Sequence, residues 1–175
     1  GELDMAIGRI LPEFDSQAFN ILPIRDEKVA FMTRASHPLA RAPSVTLTEL
    51  HGCEWIIQSR GAPIREAALA AFAGLGLTEP VNVVNSPSVL LTLAYLAESD
   101  AVAPLSDEVA QLLLRPPVSA GFVALRVPHD IRVSPYYLLD LRRRPLSPLA
   151  MRLRERLIAL SGAGRLGRAG EGTSP

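Results

Sequence analysis

Apolar runs of strand length alternate with longer helical stretches along this chain to about residue 160. The runs predicted to be strands cover residues 3–8, 19–24, 28–34, 54–58, 81–84, 101–104, 122–127 and 136–141. Alternation of this kind is typical of βα units arranged around a mostly parallel sheet. The sequence therefore predicts an α/β fold.

Capping residues mark where the helices between these strands begin. Thr46 and Glu49 have the spacing of a capping box, in which a hydroxyl and a carboxylate satisfy free amide groups reciprocally. Pro63 suits a first helical position because its missing amide hydrogen would have no partner there. The remaining helix starts that a serine marks lie at Ser86, Ser106 and Ser147. Of these, Ser86 is predicted to cap an apolar helix that runs through Leu96.

The charge of the chain argues against a nucleic-acid-binding domain. Lys and Arg number 18 and Asp and Glu number 18, which gives a formal net charge of +0. The chain therefore has no overall positive charge to drive binding to a phosphate backbone by counterion release. One basic run, Arg142–Arg144, is followed by arginines at 152, 154 and 156. Because acidic Asp140 and Glu155 lie among them without interleaved aromatic residues, we interpret them as a solvated strand end and helix face.

Several function classes lack the residues that they need. No apolar stretch approaches the ~20 residues of a membrane span, and the first residues carry no basic signal segment. Cys53 is the only cysteine, so no disulfide can form within the chain. The three histidines have no metal-ligand spacing, and no nucleophile elbow, phosphate loop or zinc-protease motif occurs. We expect a cytoplasmic protein that is no enzyme, contacts no membrane and has no catalytic residues, metal or cofactor.

Two polar loops follow predicted strands and lead into helices. In an open α/β sheet, ligands collect at the carboxyl ends of strands, where free helix amides favour anionic or hydroxylated groups. The candidate ligand-binding residues of these loops are Ser59, Arg60, Gly61, Arg65, Ser86 and Ser88. The two arginines could pair with a carboxylate through the guanidinium fork. Taken alone, the same loops also fit ordinary helix capping with solvated arginines.

The order of short motifs resembles a known family. The chain opens with Gly1-Glu2-Leu3-Asp4, continues with His37-Pro38-Leu39-Ala40, and has Leu47-Thr48-Glu49-Leu50 before Trp55-Ile56-Ile57. Residues 85–93 and 101–109, followed by Arg144-Pro145-Leu146-Ser147-Pro148, continue the pattern. Together these segments resemble the C-terminal effector-binding domain of LysR-type transcriptional regulators.

The resemblance implies a two-lobed periplasmic-binding-protein-like (type II) fold joined by two crossover strands. Lobe I would comprise residues 1–26 and 134–162 and would be incomplete, and lobe II would comprise residues 27–133. Residues 163–175 are expected to form a disordered tail. The effector would lie in a cleft between the lobes, with Gly8 and Arg9 as the ligand-binding residues of lobe I. Part of the lobe I side would belong to a segment that this sequence lacks.

The resemblance also implies partners. The effector would be a small molecule, and the loop after Trp55 is similar to members that respond to a sugar or to an aromatic or organic acid. The domain would form a homo-oligomer, with the helix after Pro63 and the strand 81–84 in a dimer contact. DNA would be bound only through an N-terminal winged helix-turn-helix, absent from this sequence. The alternative is a solute-binding protein of a transporter with the same fold.

Overall fold

The structure, a computed structural model, describes residues 3–10, 14–116, 118 and 121–161. Contacts divide the chain into two compact units, here called unit 1 (Gly1–Asp26 with Ser134–Pro175) and unit 2 (Glu27–Val133). Whether these units act as the lobes that the resemblance implies stays a prediction. The predicted tail, residues 163–175, lies outside the described residues.

The described residues form seven strands and five α-helices, which alternate from β2 to β6. The strands are β1 (Met5–Gly8), β2 (Phe19–Arg34), β3 (Glu54–Ile57), β4 (Val83–Asn85), β5 (Ala101–Ser106), β6 (Phe122–Ala124) and β7 (Arg132–Leu141). The helices are α1 (Leu47–His51), α2 (Pro63–Ala73), α3 (Val89–Glu98), α4 (Asp107–Leu114) and α5 (Pro148–Ser161). Short 3-10 helices cover Ser16–Ala18 and Pro38–Arg41. The α/β class predicted from the sequence is confirmed.

The sheet of unit 2 is mixed. Strand β3 lies between β4 and β5 and is parallel to both, with Trp55 opposite Val83 on one side and Val102 on the other. Strand β2 pairs antiparallel with β5 and with β6. The prediction of a mostly parallel sheet is therefore correct for β3, β4 and β5 only and wrong for β2 and β6, which pair antiparallel.

Two apolar clusters fill unit 2. Trp55 is the centre of the first, with ring centroids 5.7 Å from Phe31 and 5.4 Å from Phe72, both near perpendicular. Its indole N–H donates to the Leu50 carbonyl at 2.9 Å, so the one polar group of this ring is satisfied. The second cluster has its own buried side chains, which include Met32, Ile56, Leu96, Leu105, Leu113 and Phe122. Trp55 and Ile56 anchor β3 in the two clusters. They therefore fix the end of β3, from which the predicted ligand-binding loop with Ser59 and Arg60 begins.

Unit 1 is built on an antiparallel pair. Met5 of β1 lies opposite Asp140 of β7, and Gly8 lies opposite Tyr137. Strand β1 is at one end of the strand order, and Ile7 is exposed on it. Leu138 of β7 and Ala150 of α5 are buried.

Two long strands belong to both units. Strand β2 runs through the boundary after Asp26, and β7 runs through the boundary before Ser134. Beside this boundary the amide of Val29 donates to the carbonyl of Ile131 at 2.9 Å. The polypeptide therefore enters and leaves unit 2 through strands that neighbour each other.

The boundaries of several elements differ from the sequence prediction. Residues 19–24 and 28–34, predicted as two strands, form the single strand β2, which is continuous through Pro23. The helix start predicted at Ser86 is wrong: Ser88 caps α3, because its hydroxyl accepts from the Leu91 amide at 3.3 Å. The capping box of Thr46 and Glu49 is confirmed.

Candidate functional site

Strands β3 and β4 end at the same edge of the unit 2 sheet. Ile57, the last residue of β3, lies opposite Asn85, the last residue of β4, and the Ser86 amide donates to the Ile57 carbonyl at 2.9 Å. Because the strands are parallel, the loop 58–62 and the turn 86–88 leave the sheet side by side. The structure thus brings Ser59 and Ser86 to one edge.

The loop 58–62 is anchored to α2 through the Gly61 amide and presents two polar side chains. Gly61 has a φ of +81°, a conformation that L side chains rarely adopt, and its amide donates to the Glu66 carboxylate at 2.8 Å. Ser59 and Arg60 are exposed, and the Arg60 side chain keeps 86% of its accessibility. Its one ion pair in the described structure, with Glu79, is loose at 3.9 Å. The Arg60 guanidinium is therefore open to solvent and only weakly paired.

The two serines of the turn 86–88 have different roles. Ser86 is 1% exposed, and its hydroxyl accepts from the Ser88 amide at 3.2 Å. Ser88 is exposed and caps α3, accepting from Leu91. A hydroxyl that accepts through one lone pair still has its hydrogen to donate. Ser88 is consequently the accessible hydroxyl of this turn, while Ser86 shapes it.

Arg65 links the ends of β3 and β4 through hydrogen bonds, an arrangement here called the tie. The side chain is 2% exposed. One terminal nitrogen donates to the Gln58 carbonyl at 2.9 Å and to the Asn85 side-chain oxygen, and the other donates to the Glu79 carboxylate. The structure therefore commits the terminal nitrogens to internal partners, and a direct contact between Arg65 and an effector stays a prediction.

Two atoms around this tie have no hydrogen-bond partner among the described residues. They are the Nε of Arg65 and the side-chain oxygen Oε1 of Gln58, both buried. A buried polar group without a partner costs about 1–3 kcal/mol. At the base of the loop 58–62, one hydrogen-bond donor and one acceptor are therefore buried without a partner among the described residues.

The remaining two candidates belong to unit 1. Gly8 ends β1, and a Cβ built on it would meet no atom within 4 Å, so the backbone there does not require glycine for space. The Arg9 guanidinium lies 4.2 Å from the centroid of the Tyr136 ring, which is a cation–π distance. The eight candidates thus fall into a group of six in unit 2 and a pair in unit 1.

The described residues offer neither an activated thiol nor a metal-binding cluster. Burial raises the pKa of the Cys53 thiol, and the charges of Asp100 and Glu49 raise it further, so the thiol is protonated at neutral pH. Within the described ranges no group of three histidine, cysteine or acidic residues could hold a metal ion. In the same ranges, no helix combines the length and the apolar character that a membrane crossing requires.

Sequence reasoning missed the partners of Arg65. Glu79 lies 14 positions further along the chain and Asn85 lies 20 positions further. No local spacing connects such positions, because they meet only when the ends of α2, β3 and β4 come together. Gln58 and Asn85 could have been found, since each adjoins a predicted strand end.

Comparison with known proteins decides the family. The model of the protein family described as "LysR substrate binding domain" matches residues 1–161. The chain belongs to this family. It is 34% identical over 164 residues, or 93% of its length, to the HTH-type transcriptional regulator GbpR of Azospirillum brasilense, of which it covers 46%. The LysR domain described here spans less than half the length of the curated relatives that it matches.

Solved structures share the fold of this LysR domain. The regulatory domain of Synechocystis PCC6803 CcmR, in complex with 2-PG, has a TM-score of 0.71 at 20% identity, over 91% of this chain and 74% of that one. The BenM effector-binding domain with its effector benzoate has a TM-score of 0.67 at 18% identity, over 99% and 73%. The domain is thus an effector-binding domain of LysR-type transcriptional regulators with the two-lobed, periplasmic-binding-protein-like family fold. Nothing favours a transporter component.

Proposed function

We propose that this domain binds a small hydroxylated or carboxylated effector at the edge formed by the loop 58–62 and the turn 86–88. The observation that carries the proposal is the pairing of Ile57 with Asn85, which sets the exposed polar groups of both loops side by side. The structurally similar CcmR regulatory domain is in complex with 2-PG, and the BenM effector-binding domain is with its effector benzoate. Gly8 and Arg9 are the ligand-binding residues that we propose for unit 1.

The two ligand classes that the sequence suggested would use different groups. An aromatic or organic acid would place its carboxylate on Arg60, whose planar fork can make two parallel hydrogen bonds. A sugar would use the Ser59 and Ser88 hydroxyls with backbone amides, and it would gain little from the charge of Arg60. The exposed Arg60 therefore separates the classes experimentally.

In the longer protein, the effector would control DNA binding by an N-terminal winged helix-turn-helix. A ligand shifts such an equilibrium only by binding one conformation better than the other, with a coupling of about 1–3 kcal/mol. The protonated Cys53 thiol, like the absence of catalytic motifs from the sequence, favours a sensor without enzymatic activity. We place this sensor in the cytoplasm, where its DNA lies.

The proposed homo-oligomer would use the exposed side of α2 and the edge strand β4. Ala70 and Ala73 are exposed on α2, and Val81, just before β4, is 95% exposed. Ala68 is fully buried in the unit's own core and cannot contribute. Sedimentation of an Ala70→Glu variant tests this surface: a shift towards monomer is expected, and unchanged association would count against it.

Calorimetric titration of the chain with neutral monosaccharides and with aromatic and organic acids tests the effector site. If the ligand is an acid, Arg60→Gln should weaken binding by about tenfold or more, the effect of a charged hydrogen bond. If it is a sugar, Ser88→Ala should weaken binding by roughly 2- to 12-fold, the effect of a neutral hydrogen bond, and Arg60→Gln should change little. Arg115→Gln removes the same charge outside both loops and should bind like the wild type. Loop variants that bind as tightly as the wild type would refute the site.

A further inference from the structure

The basic residues of unit 1 are concentrated in one short region. Residues 141–160 contain six arginines and one acidic residue, Glu155, although the whole chain has a formal net charge of +0. Three of the arginines, Arg142–Arg144, form the turn that follows β7, here called the arginine turn. The others lie on α5. The function proposed above uses none of them.

Grooves flank the arginine turn. One has a volume of about 640 Å³ and is lined by the turn together with Asn20, Asp140, Arg154 and Glu155. The other has a volume of about 780 Å³ and is lined by the turn together with Asp15 and Gln17. In each groove the arginines outnumber the carboxylates by two. These are concave, positively charged surfaces within a single unit.

Most of this charge is not neutralised within the described chain. Arg142 donates to the Phe19 carbonyl at 3.2 Å, which leaves its positive charge uncancelled. Arg143 has no hydrogen bond or ion pair with any described residue. Arg144 lies 3.6 Å from Asp4, and both side chains are more than 40% exposed, so this pair contributes little.

Arg154 is the neutralised member of the group. Its Nε donates to the Asp140 carboxylate at 3.2 Å, and the Asn20 amide donates to the other carboxylate oxygen at 2.6 Å. Asp140 is buried, so it fixes the floor of the first groove rather than competing for solvent-exposed arginines. The first turn of α5 borders the same groove through Met151 and adds the positive end of its helix dipole.

The arginine turn and the unit 1 effector candidates are at opposite ends of β1. Asp140, just before the turn, pairs with Met5 at the start of β1, whereas Tyr137 pairs with Gly8 at its end. An anion in these grooves would therefore not contact Gly8 or Arg9.

We propose that the arginine turn is a second ligand site, which binds a small anion with two or more negative charges, such as a phosphate ester or a polycarboxylate. Adjacent guanidinium groups can grip such oxygens through parallel hydrogen bonds. A long DNA duplex fits less well, because the grooves are concave and Asp15 and Glu155 line them. The site gives the regulator an input that is separate from its effector edge.

Calorimetry of the full 175-residue chain with inorganic pyrophosphate and with tricarballylate tests this proposal. Saturable binding of either probe is expected, and the probe that binds more tightly identifies the anion class. The double variant Arg143→Gln/Arg144→Gln should weaken binding by at least about tenfold, since it removes charge-assisted hydrogen bonds. The control, Arg152→Gln/Arg156→Gln, removes the same charge from exposed positions of α5 that line neither groove, and it should weaken binding less than about threefold.

Three results would overturn the site. They are no saturable binding by the wild type, equal losses in the two double variants, and stronger binding of a short labelled DNA duplex than of either probe. Circular dichroism melting should show that both double variants fold, because all four positions are exposed. Arg60→Gln should leave pyrophosphate binding unchanged, so a failure of the effector proposal and a failure of this one can be told apart.

Discussion

The molecule uses arginine in two opposite ways. At the strand ends of unit 2, Arg65 is 2% exposed and spends its terminal nitrogens on Gln58, Asn85 and Glu79. In unit 1, the arginine turn is exposed, and its side-chain contacts with the described residues are one carbonyl and one loose carboxylate. The same side chain is a structural tie in one place and an available cation in the other.

Burial and partners, rather than residue type, decide between these uses. A buried guanidinium without partners would be strongly unfavourable, so Arg65 must be satisfied before the fold is stable. An exposed guanidinium is hydrated and needs no partner, so it remains available for a ligand. Mutations of the two regions should therefore affect different measurements, stability in unit 2 and anion affinity in unit 1.

The largest effect is expected at the buried tie. Arg65→Met keeps much of the side-chain volume but leaves the oxygens of Asn85 and Gln58 without their donor, so we expect a loss of roughly 3 kcal/mol in the free energy of unfolding. Urea denaturation measures it. Arg60→Met removes an exposed arginine near the same Glu79 and should change stability by less than about 0.5 kcal/mol. Equal losses in the two variants would abolish the contrast between buried and exposed arginines.

An intermediate effect is expected at Asp140. This carboxylate is buried, but its partner Arg154 is one-third exposed and can be hydrated when the pair is broken. Asp140→Asn should therefore cost about 1–2 kcal/mol of unfolding free energy, less than the change at Arg65. It also removes a negative charge from the lining of the groove, so pyrophosphate should bind more tightly. Asp4→Asn, at the loose pair with Arg144, is the control for stability, and a larger loss there would contradict this ranking.

The smallest effect is expected at an exposed helix cap. Hydrogen bonds from the Thr46 backbone and hydroxyl lower the pKa of Glu49 below its usual value of 4.5. A carboxylate with a lowered pKa in the folded state stabilises the protein above its unfolded pKa, and this contribution is lost as the pH falls through the folded value. Glu49→Gln, which resembles the protonated acid, should lower Tm slightly at neutral pH and not at all in strong acid. A difference in Tm that is independent of pH would rule out this origin.

The sequence predicted features that depend on neighbouring residues. The capping box of Thr46 and Glu49, the helix start at Pro63 and the cap at Ser106 are all confirmed, because each involves atoms within one turn of helix. Strand β2 was predicted as two strands, yet it is continuous through Pro23, which has no amide hydrogen to donate to a sheet ladder. Only the surrounding sheet determines whether such a position needs a donor.

For the candidate site, sequence reasoning brought the right strand ends together but not the interior beneath them. Ser59 and Ser86 were expected at one edge, and the structure has them there, although their contact with an effector stays a prediction. Ser86 was expected to be accessible to a ligand, whereas it is buried in its own turn. The partners of Arg65 come from separate segments, and only the folded arrangement of the two strand ends reveals them.

The hydrogen bond from Val29 to Ile131 has a consequence for how this domain can be rearranged. The Val29 nitrogen and the Ile131 oxygen, which lie near the two ends of unit 2, are 2.9 Å apart, so unit 2 has the adjacent termini of an inserted module. Such modules tolerate excision and circular permutation, because joining their ends requires no long linker. We therefore expect that unit 2 can be exchanged between family members as one segment, with the two junctions placed within strands β2 and β7.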